Sequence, residues 1–294
     1  VYKRQSVALA WRANEESFLR NVSWIDNLKL RLSYGIVGNQ NGIGNYTTLG
    51  LTDQERYEFG DNSYMGYLPG KELSNPNLKW EQSRTANIGL DFGFFNNRLS
   101  GTIEYYNTRT TDLIVKREIN SVLGYEQMLD NLGETKSHGI DISINGDVFR
   151  TKNFTWSLGA NFSQYANEIV KIDNQVDENG KPLSQPGNSW FVGKPIHVYY
   201  DYLPDGIYQY EDFDIKRNAY GKLEYTLKPT IDTDGDGIAD KALTREDNVA
   251  PGSVKIKDVN GDGKINADDR TPISRDPDFT LSLNTTLKLS LIHI

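Results

Sequence analysis

Residues 258–269 carry the spacing that could most readily do chemistry. Asp258, Asn260 and Asp262 present side-chain oxygens at alternate positions, and Gly263 follows where a calcium loop must turn sharply. The Lys264 carbonyl falls at the next ligand position, Asn266 two residues on, and Asp269 at the twelfth. Calcium takes about six to eight oxygen ligands, and this loop offers them. Asp in place of Glu at the twelfth position departs from the EF-hand pattern and weakens bidentate ligation. The competing reading is an Asp/Asn/Gly turn that hydrogen-bonds its own backbone. A shorter acidic repeat precedes it: Asp232, Asp234, Asp236 and Asp240. Carboxylates at alternate positions repel unless a cation or water separates them. Calcium is therefore the expected cofactor, with the structural task of holding a long loop rigid.

A second group is aromatic. Trp190, Phe191, Tyr199, Tyr200, Tyr202 and Tyr208 crowd one segment together with Asp201 and Gln209. Flat ring faces beside polar groups suit sugar rings or peptide side chains, and loop packing or contact with a partner is the plainer reading. Tyr46, Tyr57, Phe59, Tyr64 and Tyr67 form another such group. Catalysis finds no support: there are three histidines and no metalloprotease, serine-hydrolase or phosphate-loop motif. His138, placed at the start of a strand, reads as a rim residue. Absence of cysteine excludes disulfide scaffolds, thiolate metal sites and thiol nucleophiles. A net charge of −8 argues against nucleic acid as a partner.

These groups must be positioned by strands. Hydrophobic residues make up only 37% of the chain, and no run approaches the ~20 apolar residues of a membrane helix. Strict alternation is the dominant pattern instead. It runs through Leu28, Leu30, Leu32, Tyr34 and Ile36; Ala86 to Phe94; Leu99 to Tyr105; Ile140 to Val148; Phe154 to Phe162; and Phe279 to Leu289, with a weaker stretch at Val7, Leu9 and Trp11. Each stretch is about 10–13 residues, longer than the ~5–6 of ordinary sheets and enough to cross a bilayer at a tilt. Tyr34, Phe94, Phe95, Tyr105, Tyr106, Phe154 and Trp156 stand near strand ends, as interfacial girdles do.

The connections alternate in length. Residues 95–98 and 150–153 are tight turns and 14–27 a moderate link, whereas 39–82, 111–136 and 167–278 are long. Membrane barrels have short periplasmic turns and long extracellular loops, and a soluble sandwich has no reason to keep that parity. The expected fold is all-β: a partial antiparallel transmembrane β-barrel of about seven strands over residues 6–290, with both acidic repeats in the 167–278 extracellular loop. An odd strand number without closure reads as part of a larger wall. Residues 1–5 and 290–294 end abruptly and read as sequence artefact.

The strand and loop start Leu28-Lys29-Leu30-Arg31-Leu32-Ser33-Tyr34-Gly35 with Gly38-Asn39-Gln40 resembles that of the SusC/RagA family of TonB-linked outer-membrane transporters. Asn75-Pro76-Asn77-Leu78-Lys79-Trp80-Glu81, the hairpin 87–99, Ala250-Pro251-Gly252 and the 258–265 loop resemble further family elements in the same order. The resemblance covers most of the chain. It implies a plugged barrel of about 22 strands, a SusD-like surface lipoprotein as lid, energy from the TonB complex, and import of oligosaccharides or peptides. The family's N-terminal extension, TonB box, plug and closing strand have no counterpart among these residues, so this stretch alone is not expected to transport. Two readings compete: a soluble, calcium-stabilised all-β adhesin or carbohydrate-binding module, and a siderophore-type receptor barrel.

Overall fold

In the computed structural model the described residues are 4–41, 43–44, 46–120, 122, 124–231, 241–245 and 249–289. They form two compact units, one comprising residues 1–196 with 276–294 and the other 197–275.

The first unit is built on seven long antiparallel strands: β1 (Arg4–Arg12), β2 (Ile25–Asn39), β6 (Glu81–Phe94), β7 (Leu99–Glu118), β8 (Gln127–Arg150), β9 (Phe154–Lys171) and β18 (Thr280–Leu289). They neighbour one another in that order, so each strand pairs with the next along the wall. All seven alternating stretches of the sequence are strands of this sheet. Arg4 and Gln5 belong to it too, opposite Val37 and Ile36.

Registers align the alternation across the whole sheet. Trp11, Leu30, Leu90, Ile103, Ile142, Phe162 and Leu281 form one continuous cross-strand row. The adjacent row, on the opposite face, is Ala10, Arg31, Gly89, Glu104, Asp141, Ser163 and Thr280. One face is thus apolar and the other polar, because side chains alternate sides along every strand. The apolar face is left bare: Leu9 is 68% exposed and Leu283 76%. In water so large an apolar surface would be ruinous; against lipid it is the required exterior. Among the described residues no helix is long and apolar enough to span a membrane; the crossing is made by strands.

Connection parity survives, with one boundary redrawn. Residues 95–98 and 151–153 are tight turns, and Phe95, Asn96 and Asn97 are all left-handed, with φ of 59°, 57° and 54°. The connection expected over 111–136 shrinks to 119–126, because β7 and β8 continue to Glu118 and from Gln127. Past Tyr106 the pattern breaks, because Arg109, Thr110 and Thr111 are polar in succession and a register shift follows between Thr110 and Leu113, so alternation is interrupted while pairing continues. His138 consequently lies inside β8, opposite Asn107, and not at a strand start. Tyr106 lies on the polar face over Gly139, where a Cβ would collide with its ring, so it is no girdle residue. The connection from β2 to β6 carries a hairpin, β3 (Thr52–Phe59) with β4 (Asn62–Pro69), and a short β5 (Glu72–Leu73) added to the start of β8.

The second unit folds from short pairs: β10 (Val198–Tyr202) with β17 (Arg270–Ser274), β11 (Pro204–Ile207) with β15 (Val254–Ile256), β12 (Phe213–Arg217) with β13 (Leu223–Leu227), and β14 (Thr244–Arg245) parallel to β16 (Lys264–Ile265). Val198, Tyr208, Phe213 and Ile265 form its core. Its two ends are tied together, the Arg275 N–H donating to the His197 carbonyl at 3.2 Å.

Candidate functional site

The polar face of the wall is organised around Arg31. Its guanidinium donates two parallel hydrogen bonds to Asp91, Nε to Oδ2 and Nη2 to Oδ1, both 2.9 Å. Nη2 also reaches Glu104, one strand further on. Gly89 stands between Arg31 and Glu104 in the register, and a Cβ there would come within 2.9 Å of Nη2. A glycine is thus needed for the arginine to lie flat across β6. Bidentate arginine–carboxylate geometry fixes orientation as well as charge. Further along, Ser163 donates to Asp141, and Ser157 donates to Asp147 at 2.7 Å. The face is a hydrogen-bonded, charge-bearing surface of the kind that lines an aqueous lumen.

Asn75 to Glu81 does more than end a loop. The Asn75 amide donates to the Leu129 carbonyl at 2.9 Å, and Asn131 makes two bonds to the Lys79 backbone. Glu81 accepts from the Ile114 N–H at 3.2 Å. This stretch therefore laces the outer ends of β7 and β8, a role its sequence alone did not reveal.

In the second unit the 258–269 loop wraps on its own side chains. Asp258 accepts from the Gly261 and Gly263 N–H groups, Asn260 from Asp262, and Asp262 from Lys264, at 2.7–2.9 Å. Asn266 accepts from the Asp268 N–H, and Asp269 from Val259 and Asn266. Gly261 and Gly263 take φ of 75° and 79°, the left-handed values the turn requires. Asp269 is fully buried. Burial, the largest influence, pushes its carboxyl up, but N–H groups of Asn266, Val259 and Asn260 and a hydrogen bond with Asp258 together hold it below its ordinary value. Among the described residues no three His, Asp or Glu side chains converge as a metal cage. The donors are nevertheless hard oxygens of the kind calcium takes, and an oxygen that accepts one N–H keeps a further lone pair. Asp232, Asp234, Asp236 and Asp240 lie outside the described residues.

The aromatic group divides between the units. Trp190 is in the wall unit, where its backbone bridges Gln185 and its ring is about one-third exposed. Phe191 beside it is half-buried. In the loop unit Tyr199 is exposed beneath the Arg275 guanidinium (4.7 Å), while Tyr200 and Tyr202 share the inward side of β10 with Val198. Tyr208 is buried: Phe213 packs at 5.5 Å and the Lys255 ammonium stands over its ring at 5.3 Å, so its faces are taken. Lys255 also pairs with Asp212 at 2.9 Å and, helped by the Gln209 N–H, lowers that carboxyl's pKa. In the 40–80 connection Tyr57 stacks on Tyr64 across the hairpin, and both remain exposed.

A two-faced antiparallel wall, apolar without and polar within, defines a bacterial outer-membrane β-barrel and disfavours the soluble-adhesin reading. The chain belongs to the TonB-dependent receptor family: the model of the TonB dependent receptor-like β-barrel matches residues 2–289. It is 35% identical over 237 residues to the TonB-dependent receptor SusC of Bacteroides thetaiotaomicron, covering 74% of this chain and 23% of that protein. It is 32% identical to TonB-dependent receptor P3 of Formosa agariphila, covering 96% of this chain and 26% of that protein. The chain thus spans about a quarter of the length of these relatives. The solved RagAB peptide transporter matches with a TM-score of 0.66 and 24% identity over 97% of this chain and 28% of that one, a likeness of fold. The expected SusC/RagA-like class stands, and the relatives leave the siderophore-type reading without support.

Proposed function

We propose that this chain supplies part of the wall and outer loops of a TonB-energised importer of oligosaccharides or peptides. The observation that carries the reading is the register-aligned pair of faces: a lipid-facing exterior and a hydrogen-bonded polar interior. By the rule of short periplasmic turns, the 40–80, 119–126 and 172–279 connections face outward. A SusD-like surface lipoprotein would meet these loops, and the TonB complex would act through other parts of the full-length receptor. The RagAB structure is titled a peptide transporter, and the SusC relative is named a receptor without a stated substrate. Deleting the gene that encodes this chain should abolish uptake of one labelled class, oligosaccharide or oligopeptide. Unchanged uptake of both would end the reading.

Calcium belongs to the same proposal as a structural ion of the 258–269 loop, held by Asp258, Asn260, Asp262, Asp269 and the Lys264 carbonyl. The supporting features are the ligand spacing and the turn already closed around those side chains. EDTA should then raise protease cleavage near residues 258–269 while the wall strands stay protected. Identical digestion with and without EDTA would remove calcium from the account.

A further inference from the structure

The lumen face is mostly polar, and the outer end of β7 departs from this. Along β7, Tyr106, Thr108 and Thr110 point inward, opposite Gly139, Ser137 and Thr135. Continued alternation would turn residues 112 and 114 inward and send Leu113 and Val115 to the lipid side. The register prevents this: Thr110 pairs with Thr135, and the next pair is Leu113 with Gly133, three residues advancing against two. The extra residue is a β-bulge, and a bulge re-aims the side chains that follow it. Asp112 sits in it with a left-handed φ of 59°. The Asn131 amide pins the bulge by donating to the Asp112 carbonyl at 2.7 Å, and Glu81 accepts from the Ile114 N–H. Leu113 and Val115 therefore lie over Gly133 on the lumen side, where a Cβ on that glycine would stand 2.9 Å from Leu113 Cβ and 3.2 Å from Val115 Cγ2.

These two side chains join Ile169, Ile172, Trp190 and Ile196 around an open cavity of about 290 Å³. Ile169 and Ile172 are buried and form its floor, and Trp190 stays partly exposed at its rim. Thr135, Lys171 and the indole N–H of Trp190 are the polar side-chain groups of the lining, and the Lys171 ammonium is engaged by Asn174 at 2.7 Å. An apolar cavity of about 150 Å³ accepts benzene, so this one has room for a large aliphatic or aromatic side chain. A sugar ring placed here would give up water for its hydroxyls and find almost no partners.

We infer that this cavity is a subsite for an apolar side chain of an imported peptide. The inference rests on the importer reading above and narrows its substrate class. The bulge provides the subsite by turning a lipid-type sequence, Leu113 and Val115, into the lumen just where a ligand would enter from outside.

The test uses the full-length receptor, purified in detergent, with heptapeptides that differ only in carrying Leu, Phe or Ser at the central position. Calorimetry should show the Leu and Phe peptides bound about tenfold or more tightly than the Ser peptide, the discrimination an apolar pocket supplies. Val115→Phe, which fills the cavity, should bring that ratio close to one. Ile196→Ser, a milder change on the loop side, should lower it about threefold, and it serves should Val115→Phe fail to fold. Leu287→Ile on the lipid face should leave the ratio intact. Equal binding of the three peptides by the wild type, or a ratio unmoved in the folded cavity variants, overturns the inference. Binding of oligosaccharides and no peptide overturns it too, yet leaves the importer standing. Loss of neither uptake in the deletion strain sinks both.

Discussion

The wall and the 197–275 unit solve the same problem of burying apolar surface in opposite ways. The wall pairs neighbouring strands in sequence and turns its apolar side chains outward, so lipid serves as its core. The loop unit pairs strands far apart, β10 with β17 and β11 with β15, and gathers Tyr208, Phe213 and Tyr225 inward around a core of its own. The wall's polar groups hold one another across strands. Those of the 258–269 loop hold their own backbone, residue by residue, through Asx turns. The contrast teaches that the same composition of aromatics, Asn, Asp and Gly can serve either solvent, and that register decides which.

The comparison can be broken from either side. Phe213→Ala should cost the loop unit about 3–5 kcal/mol, the usual effect of emptying an aromatic core position. Limited proteolysis should then cut within 197–275 while the wall strands remain protected; digestion of both together would mean one cooperative unit. Leu90→Arg, in the middle of the apolar row, should destabilise the folded barrel by about 2–4 kcal/mol. Ser143→Arg, on the opposite face, should have far less effect, as read by denaturant titration in lipid. Equal effects would refute the assignment of faces. Arg31→Leu leaves Asp91 and Glu104 side by side without their shared cation. Because the site is about one-third exposed, the loss should be about 1–2 kcal/mol, at the lower part of the range for charged hydrogen bonds.

The smallest effect is with pH. The carboxyls of Asp212 and Asp269 are both held below their ordinary values in the folded unit. A depressed folded pKa gives stability that is full above the unfolded value, about 3.9, and is lost as pH falls through the folded one. Amide protection factors in the loop unit, which remove the intrinsic pH dependence of exchange, should therefore hold steady from pH 8 to 5 and fall below about pH 4. Asp212→Asn should flatten part of that change. A transition near neutrality would contradict this account.

Strand positions and faces of the wall were legible because a period of two is imposed wherever one side meets lipid. The turn at 95–98 was legible from Asn96 and Asn97, which tolerate the left-handed backbone that hairpins need. The outer ends of β7 and β8 were not, since a polar run at Arg109, Thr110 and Thr111 and the register shift after Thr110 interrupt their alternation. The pairings of the loop unit were hidden for another reason: β10 and β17 are held together by tertiary packing, and short strands carry little pattern of their own. At the candidate sites the self-bonded turn of 258–269 was readable from its Asp, Asn and Gly spacing. The Arg31 bridge over Gly89 had a signal that went unused, a glycine opposite both an arginine and a glutamate. The bulge at Asp112 had none, because one residue of slippage leaves no mark on composition.

The hydrogen bond that joins Arg275 to His197 has a further bearing. A segment whose entry and exit lie side by side behaves as a cassette, and closing a longer excursion costs only slowly more entropy. The barrel could trade that cassette for another without retuning a single strand register.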